Sequence, residues 1–237
     1  MTVQQPLRRF PFMPSLILAA VMATSPYRSA AQTNELLPEI DVHHKLNSNV
    51  RVYFQAKQTR EGGLPVTAEV GPGLEIYLKR LSRLVDIIAF DKDDSKMQLL
   101  VFAAGYRYLP YPDAPPANRF EPYVTLNVAT KARILLSDKN RADLDWQSGK
   151  FTWHYRNRVT LERPFKIRNY HLSPYASAEF WYTSQYEKWS TTSIFVGCLF
   201  PLAKRFDFAS YYEHQNNTGK RPNEQLNQLG LVLKAWF

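Results

Sequence analysis

The stretch Trp153-His154-Tyr155-Arg156-Asn157-Arg158-Val159-Thr160-Leu161-Glu162 sets Trp153, Tyr155, Val159 and Leu161 on one parity, with His154, Arg156, Arg158, Thr160 and Glu162 on the other. Successive side chains of a strand point to opposite sides, so period-two alternation marks a strand with two unlike faces. The same pattern recurs in both directions along the chain. Val124, Leu126 and Val128 alternate with Tyr123, Thr125, Asn127 and Lys131. Leu172, Ala176, Ala178, Phe180 and Tyr182 alternate with His171, Ser173, Ser177 and Glu179, while Leu100, Phe102, Ala104, Tyr106 and Tyr108 lie opposite Gly105 and Arg107. Further candidate strands fall at 39–46, 50–58, 68–80, 133–146, 189–202, 205–216 and 225–237.

Composition agrees with interleaved faces. Apolar residues make up 45% of the chain, yet the mean hydropathy is -0.38, and aromatics reach 14%. Tyr, Trp and Phe collect where one side of a ring is wet and the other is not. Parity itself does not choose between a soluble sandwich, whose apolar face is its core, and a membrane barrel, whose charges face a lumen. Strand length favours the barrel, because most candidates reach the roughly nine to eleven residues that a tilted membrane strand needs. The N-terminus points the same way. Arg8 and Arg9 precede an uncharged, mostly apolar run from Phe10 to Met22, and Ser29 and Ala31 supply small residues for cleavage. Residues 1–31 thus read as a cleaved signal peptide and 32–237 as one all-β domain, an antiparallel transmembrane β-barrel of 10–12 strands in the bacterial outer membrane.

The candidates make an odd total, whereas single-chain bacterial barrels have an even one. The sequence therefore predicts either twelve strands, with 84–90 added, or ten, with 39–46 outside the wall. Counted back from Phe237 in the periplasm, the short connections 202–205 and 130–132 fall inside the cell envelope. The longer ones, 109–118 and 216–224, fall outside, matching the asymmetry of bacterial barrels, and only 163–170 fits poorly. Lys139 to Asp145 returns in outline as Arg156 to Glu162, which suggests neighbouring strands whose basic and acidic positions pair across the ladder.

Cys198 is the one cysteine, so an internal disulfide is excluded. The chain is basic, with a formal charge of +9, but no Lys/Arg block marks a nucleic-acid partner. His43 and His44 would point to opposite faces, and His154 and His171 have no second ligand at metal spacing, so neither metal nor cofactor is expected. Asp91-Lys92-Asp93-Asp94 lacks the downstream ligands of a calcium loop and reads as a solvated turn.

Ala104-Gly105-Tyr106-Arg107-Tyr108, Tyr155 to Glu162 and Tyr211-Tyr212-Glu213-His214-Gln215-Asn216-Asn217 resemble an uncharacterised family of bacterial outer-membrane barrels, a domain of unknown function. The resemblance implies a fold and a location and no chemistry. The last strand places Leu229, Leu231, Leu233, Ala235 and Phe237 on one face and resembles the C-terminal signal read by the barrel-assembly machinery. His214-Gln215-Asn216-Asn217 is similar to the His-x-Ser-Asn stretch of outer-membrane phospholipase A and lipid A deacylase barrels, in which the His is base and the Ser nucleophile. Asn216 stands where that Ser would be, and a carboxamide is no nucleophile for a Ser–His pair. The expected function is a structural barrel or one that passes small solutes, with outer-membrane lipids as neighbours. The alternative is a lipid-acting hydrolase, active or decayed, centred on His214 and Asn216.

Overall fold

Each alternating stretch forms a strand, and the strands join in chain order. The structure, a computed structural model, describes residues 32–81, 91–130, 132–168, 170–219 and 223–237. The expected signal peptide and the candidate strand at 84–90 lie outside the described residues. The strands are β1 (Gln32–Lys45), β2 (Val50–Glu61), β3 (Leu64–Arg80), β4 (Gln98–Leu109), β5 (Ala117–Ala129) and β6 (Leu135–Gln147). They continue as β7 (Lys150–Glu162), β8 (Phe165–Ile167), β9 (Tyr170–Thr183), β10 (Lys188–Ala203), β11 (Phe206–Asn217) and β12 (Glu224–Trp236). The three-residue β8 pairs only with β9, while the other eleven close into one barrel.

Eleven is odd, which corrects the expected even number and restores 39–46 to the wall as part of β1. In an up-and-down meander neighbours alternate in direction, so an odd count leaves the first and last strands running the same way. β1 and β12 therefore pair in parallel, from Gln32 opposite Gln225 to His43 opposite Trp236. The barrel is mixed rather than wholly antiparallel. The seam is finished by Lys45 N–H donating to Phe237 O at 3.0 Å and Phe237 N–H to His43 O at 2.9 Å.

The apolar parity faces outward. Val196 is 60% exposed and Leu161 52%, whereas Arg107 and Asp143, on the opposite parity of their strands, are each 1% exposed. Leu126, Val128 and Phe180 also face out. Interior apolar clusters are small: Leu199, Ala209 and Val232 with Tyr211, and Leu135 with Leu81 and Ala129. The barrel is thus inverted relative to a soluble domain, with its polar groups inside. Outward aromatics gather near one rim, where Trp146 meets Phe151, Trp153 meets Tyr182, and Tyr182 meets Trp189 at centroid distances of 5.2, 5.6 and 5.9 Å.

Turn chemistry sets the hairpins at that rim. Gly62 and Gly63, with φ of +58° and +87°, occupy the two-residue link between β2 and β3, where both positions need the left-handed region that glycine adopts freely. Connections 110–116 and 218–223 also lie there, while 130–134, 204–205 and 163–169 lie at the Phe237 end, as the sequence predicts. The ends of the longest connection, Arg80 and Gln98, also stand at the Phe237 end, so the expected contrast of short and long ends fails.

Inside the wall, small residues make room for rings. A Cβ on Gly230 would lie 2.0 Å from the Tyr211 ring of the neighbouring strand, and one on Gly73 would lie 2.2 Å from Tyr53. Gly230→Ala is therefore expected to lower stability by about 1–3 kcal/mol through overpacking. Tyr211→Ala in the same chain should recover part of that loss. Chemical unfolding of the detergent-folded protein measures both, and a neutral Gly230→Ala would show that the ring is not locked there.

Candidate functional site

The inward parity surrounds a cavity of about 610 Å³. Its wall is built of charges, which must be paired because burial of a lone charge is costly. On β5 and β6, Arg119 donates to both carboxylate oxygens of Asp145, at 2.6 and 3.0 Å, and Arg141 lies 2.6 Å from Asp143. Arg156 and Arg158 of β7 share Glu179 of β9 at 2.9 and 3.0 Å. Arg107 donates to the carbonyls of Gly71 and Pro72 at 3.1 and 3.0 Å. Pro72 lacks an N–H, and the β3–β4 ladder is interrupted between Val70 and Gly73, so the guanidinium satisfies acceptors left by the break.

β6 and β7 are neighbours, as the repeated outline predicts, but the pairing differs. Antiparallel register sets Lys139 opposite Arg158 and Arg141 opposite Arg156, basic against basic. The repeat reads in the same chain direction on both strands, whereas the strands run oppositely. Compensation comes instead from the carboxylates of Asp143, on β6 itself, and Glu179 on the next strand.

Residues 91–97, which lead into β4, pack into the Phe237 end, which corrects the reading of 91–94 as a solvated turn. Asp91 and Met97 are buried, and residues 94–97 form a 3-10 turn capped by the Asp93 side chain accepting from Ser95 N–H. Asp93 pairs with Arg51 of β2 at 2.7 Å, and Lys96 with Asp91 at 2.6 Å and Glu162 of β7 at 2.8 Å. Lys92 pairs with Asp207 of β11, which also accepts from the Trp236 indole at 2.8 Å, and Lys45 of β1 pairs with Asp94. Asn127 of β5 donates to the carbonyls of Ser95 and Gln98 at 3.0 and 2.9 Å. One segment thus ties together strands from all round the mouth. Its partners come from distant parts of the chain, and a local motif could not announce them.

Burial works against the Asp93 carboxylate, but Arg51, Lys234, Lys96 and His43 outweigh it and hold its pKa well below the usual range. Burial likewise opposes the Lys96 ammonium, and Asp91, Glu162 and Asp93 outweigh it, raising its pKa above the ordinary lysine value.

The residues of the expected lipid-hydrolase motif sit elsewhere. His214 and Asn216 are half-buried on the outer parity of β11, with the exposed Phe206 and Tyr212, towards the rim away from Phe237. His214 Nδ1 lies 2.9 Å from the Asn227 side-chain oxygen, which also accepts from the Tyr212 hydroxyl at 2.6 Å. Asn216 is flanked in register by Thr192 and Gln225. Among the described residues, no Ser or Thr hydroxyl bonds His214. His43 turns inward and stacks on Trp236 at 4.3 Å, while His44 is exposed on the other parity. His154 also faces inward, its Nδ1 3.2 Å from the Thr183 hydroxyl and its Nε2 3.7 Å from Asp145. Among the described residues no three His, Cys, Asp or Glu side chains are grouped to hold a metal.

These features define a class: a closed β-barrel with an apolar outer wall, a charge-paired lumen and one mouth filled by its own chain. Residues 98–226 match the family described as a protein of unknown function, DUF2490, and the chain belongs to it. The matched span runs from β4 into β12 and so includes the charge ladders of β5 to β9. No curated protein matches the chain.

Lys96→Met leaves Asp91 and Glu162 without their shared cation and is expected to cost about 3–5 kcal/mol, the range for removing one partner of a buried pair. The pH dependence follows from the two shifts. Asp93, with a depressed pKa, contributes stability that is present at and above the ordinary carboxylate range and is lost only as pH falls through its own lower value. Lys96, with a raised pKa, contributes stability that is full below the ordinary lysine value and is lost only as pH rises through its own higher one. Hydrogen-exchange protection of 91–97 should therefore stay level from about pH 5 to 9. Loss of protection inside that window would show that this pairing does not hold the segment.

Proposed function

We propose that this chain is an exported outer-membrane β-barrel with a structural role or a role in passing small solutes. One observation carries the reading: the apolar faces of the strands point outward while Arg107, Glu121, Asp143 and Asp207 are buried inside. In water that arrangement would expose a continuous apolar surface, a liability for a soluble monomer, whereas in a bilayer it is the favourable one. The aromatic clusters near one rim support it, since membrane barrels carry aromatic girdles where the wall meets the interface. The positive, then apolar, then small-residue pattern of 1–31 supports export with cleavage near Ala31. Phe237, at the end of the seam strand with its ring half exposed, suits recognition by the assembly machinery. The neighbours are then outer-membrane lipids, and the lumen, filled at one mouth by 91–97, admits only small solutes.

Fractionation of membranes with a heat-dependent gel-mobility assay tests this. The wild type should be outer-membrane-bound and heat-modifiable, and deletion of Phe237 should lower the inserted amount several-fold. Recovery of the wild type in the soluble fraction would refute the location. Normal insertion without Phe237 would refute its signalling role.

Hydrolysis is not part of this reading, because His214 faces Asn227 and among the described residues no Ser or Thr hydroxyl bonds it. Purified wild type should hydrolyse neither phospholipid nor lipid A esters above background, and His214→Ala should leave lipid composition unchanged. Turnover abolished by His214→Ala would make the hydrolase reading the leading one.

A further inference from the structure

Lys139 has company of the wrong sign. It stands opposite Arg158 in the β6–β7 ladder, two residues from Arg141 on its own strand, and like charges so placed repel. The three arginines of this patch are each held by a carboxylate: Arg141 by Asp143 at 2.6 Å, and Arg156 and Arg158 by Glu179 at 2.9 and 3.0 Å. Lys139 has no carboxylate within 4.0 Å among the described residues. Arg158 across the ladder and Arg141 along the strand are the charges that flank it. Its ammonium lies over the Tyr123 ring, 3.7 Å from the centroid, and Tyr123 is itself fixed by donating to Glu75 at 2.7 Å.

The patch opens on the cavity. Lys139, Arg141 and Arg158 all line it. The Arg158 side chain is 35% exposed, more than Arg141 at 18% or Arg156 at 11%, and it uses only Nη2 on Glu179. Donors therefore remain free beside an unpaired ammonium, in a space large enough for a small solute. We propose that the lumen binds a small oxyanion, a phosphate- or carboxylate-bearing solute, at Lys139, with Arg158 and Arg141 as flanking donors. Such an anion supplies the charge that the ladder lacks, and its oxygens accept charge-assisted hydrogen bonds from the ammonium and the guanidinium. The proposal deepens the small-solute reading and rests on it for its physiological meaning, but binding itself needs only the folded barrel.

The test uses the full chain folded in detergent, with inorganic phosphate as probe and its phosphorus resonance as readout. Wild type should broaden the signal saturably, and phosphate should raise its thermal midpoint where chloride of equal ionic strength does not. Lys139→Gln, which removes an uncompensated charge and should keep the folded, heat-shifted mobility, is expected to weaken binding at least ten-fold. Lys57→Gln serves as the control, because Lys57 lines the same cavity but faces Glu69, Glu39 and Glu213, and it should change affinity less than two-fold. Displacement of phosphate by acetate would extend the site to carboxylates, and no displacement would narrow it to phosphates. Unsaturable broadening with no thermal shift, or equal binding by wild type and Lys139→Gln, would overturn the proposal. Equal loss in Lys57→Gln would overturn the assignment to Lys139. Failure of the outer-membrane reading would show in fractionation and leave these measurements unchanged.

Discussion

A closed sheet with its charges inside has to compensate those charges within the lumen, and the arrangement of the arginine ladders follows from that demand. Arg119, Arg141, Arg156 and Arg158 project from three successive strands into one confined space, and each is met by a carboxylate from its own or an adjacent strand. The pairings are short, and Arg119 binds both oxygens of Asp145, the geometry in which guanidinium–carboxylate pairs are strongest. Removal of one member leaves a buried charge uncompensated, so the ladders act as a unit that fixes which strands can be neighbours. Hydrophobic burial, the usual organiser of a domain, contributes only small interior clusters here.

The same charge network meets two irregular features of the wall. The β1–β12 seam is parallel because eleven strands close the sheet, and its Phe237 end is where the inward segment docks. Trp236, the last residue of β12, donates to Asp207, and Asp207 receives Lys92 from that segment, so closure of the sheet and closure of the mouth share a carboxylate. Arg51 does the same between Glu75 on the wall and Asp93 in the segment. Residues 91–97 are thereby held in the mouth of the barrel.

What could be read from the sequence was whatever is encoded locally. The two faces of β7 are explicit in Arg156 and Arg158 against Val159 and Leu161, because strand parity is a property of consecutive residues. Which face is inside is not local, since a sandwich and an inverted barrel share one alternation. The strand total lay within the expected ten to twelve, and only its evenness failed, because a parallel seam at β1 makes an odd count closable. The acidic run 91–94 looked like a solvated turn because its partners Arg51, Glu162 and Asp207 are remote in the chain. The outward placement of His214 and the missing hydroxyl at Asn216 were legible, as both follow from parity and residue type. Lys139 was not singled out, because its isolation depends on the register that brings Arg158 beside it.

The central claim is that the apolar parity meets lipid while the polar parity meets the lumen. Its most direct measurement is the accessibility of nitroxide labels at Val159, Thr160 and Leu161 of β7, in proteoliposomes and with Cys198 replaced by Ser. Val159 and Leu161 face out and Thr160 lines the cavity, so consecutive positions sample opposite sides of one wall. The account predicts dominant collision with dissolved oxygen at Val159 and Leu161 and a sharp fall at Thr160. Dominant access of a water-soluble nickel chelate at Val159 and Leu161 would contradict it.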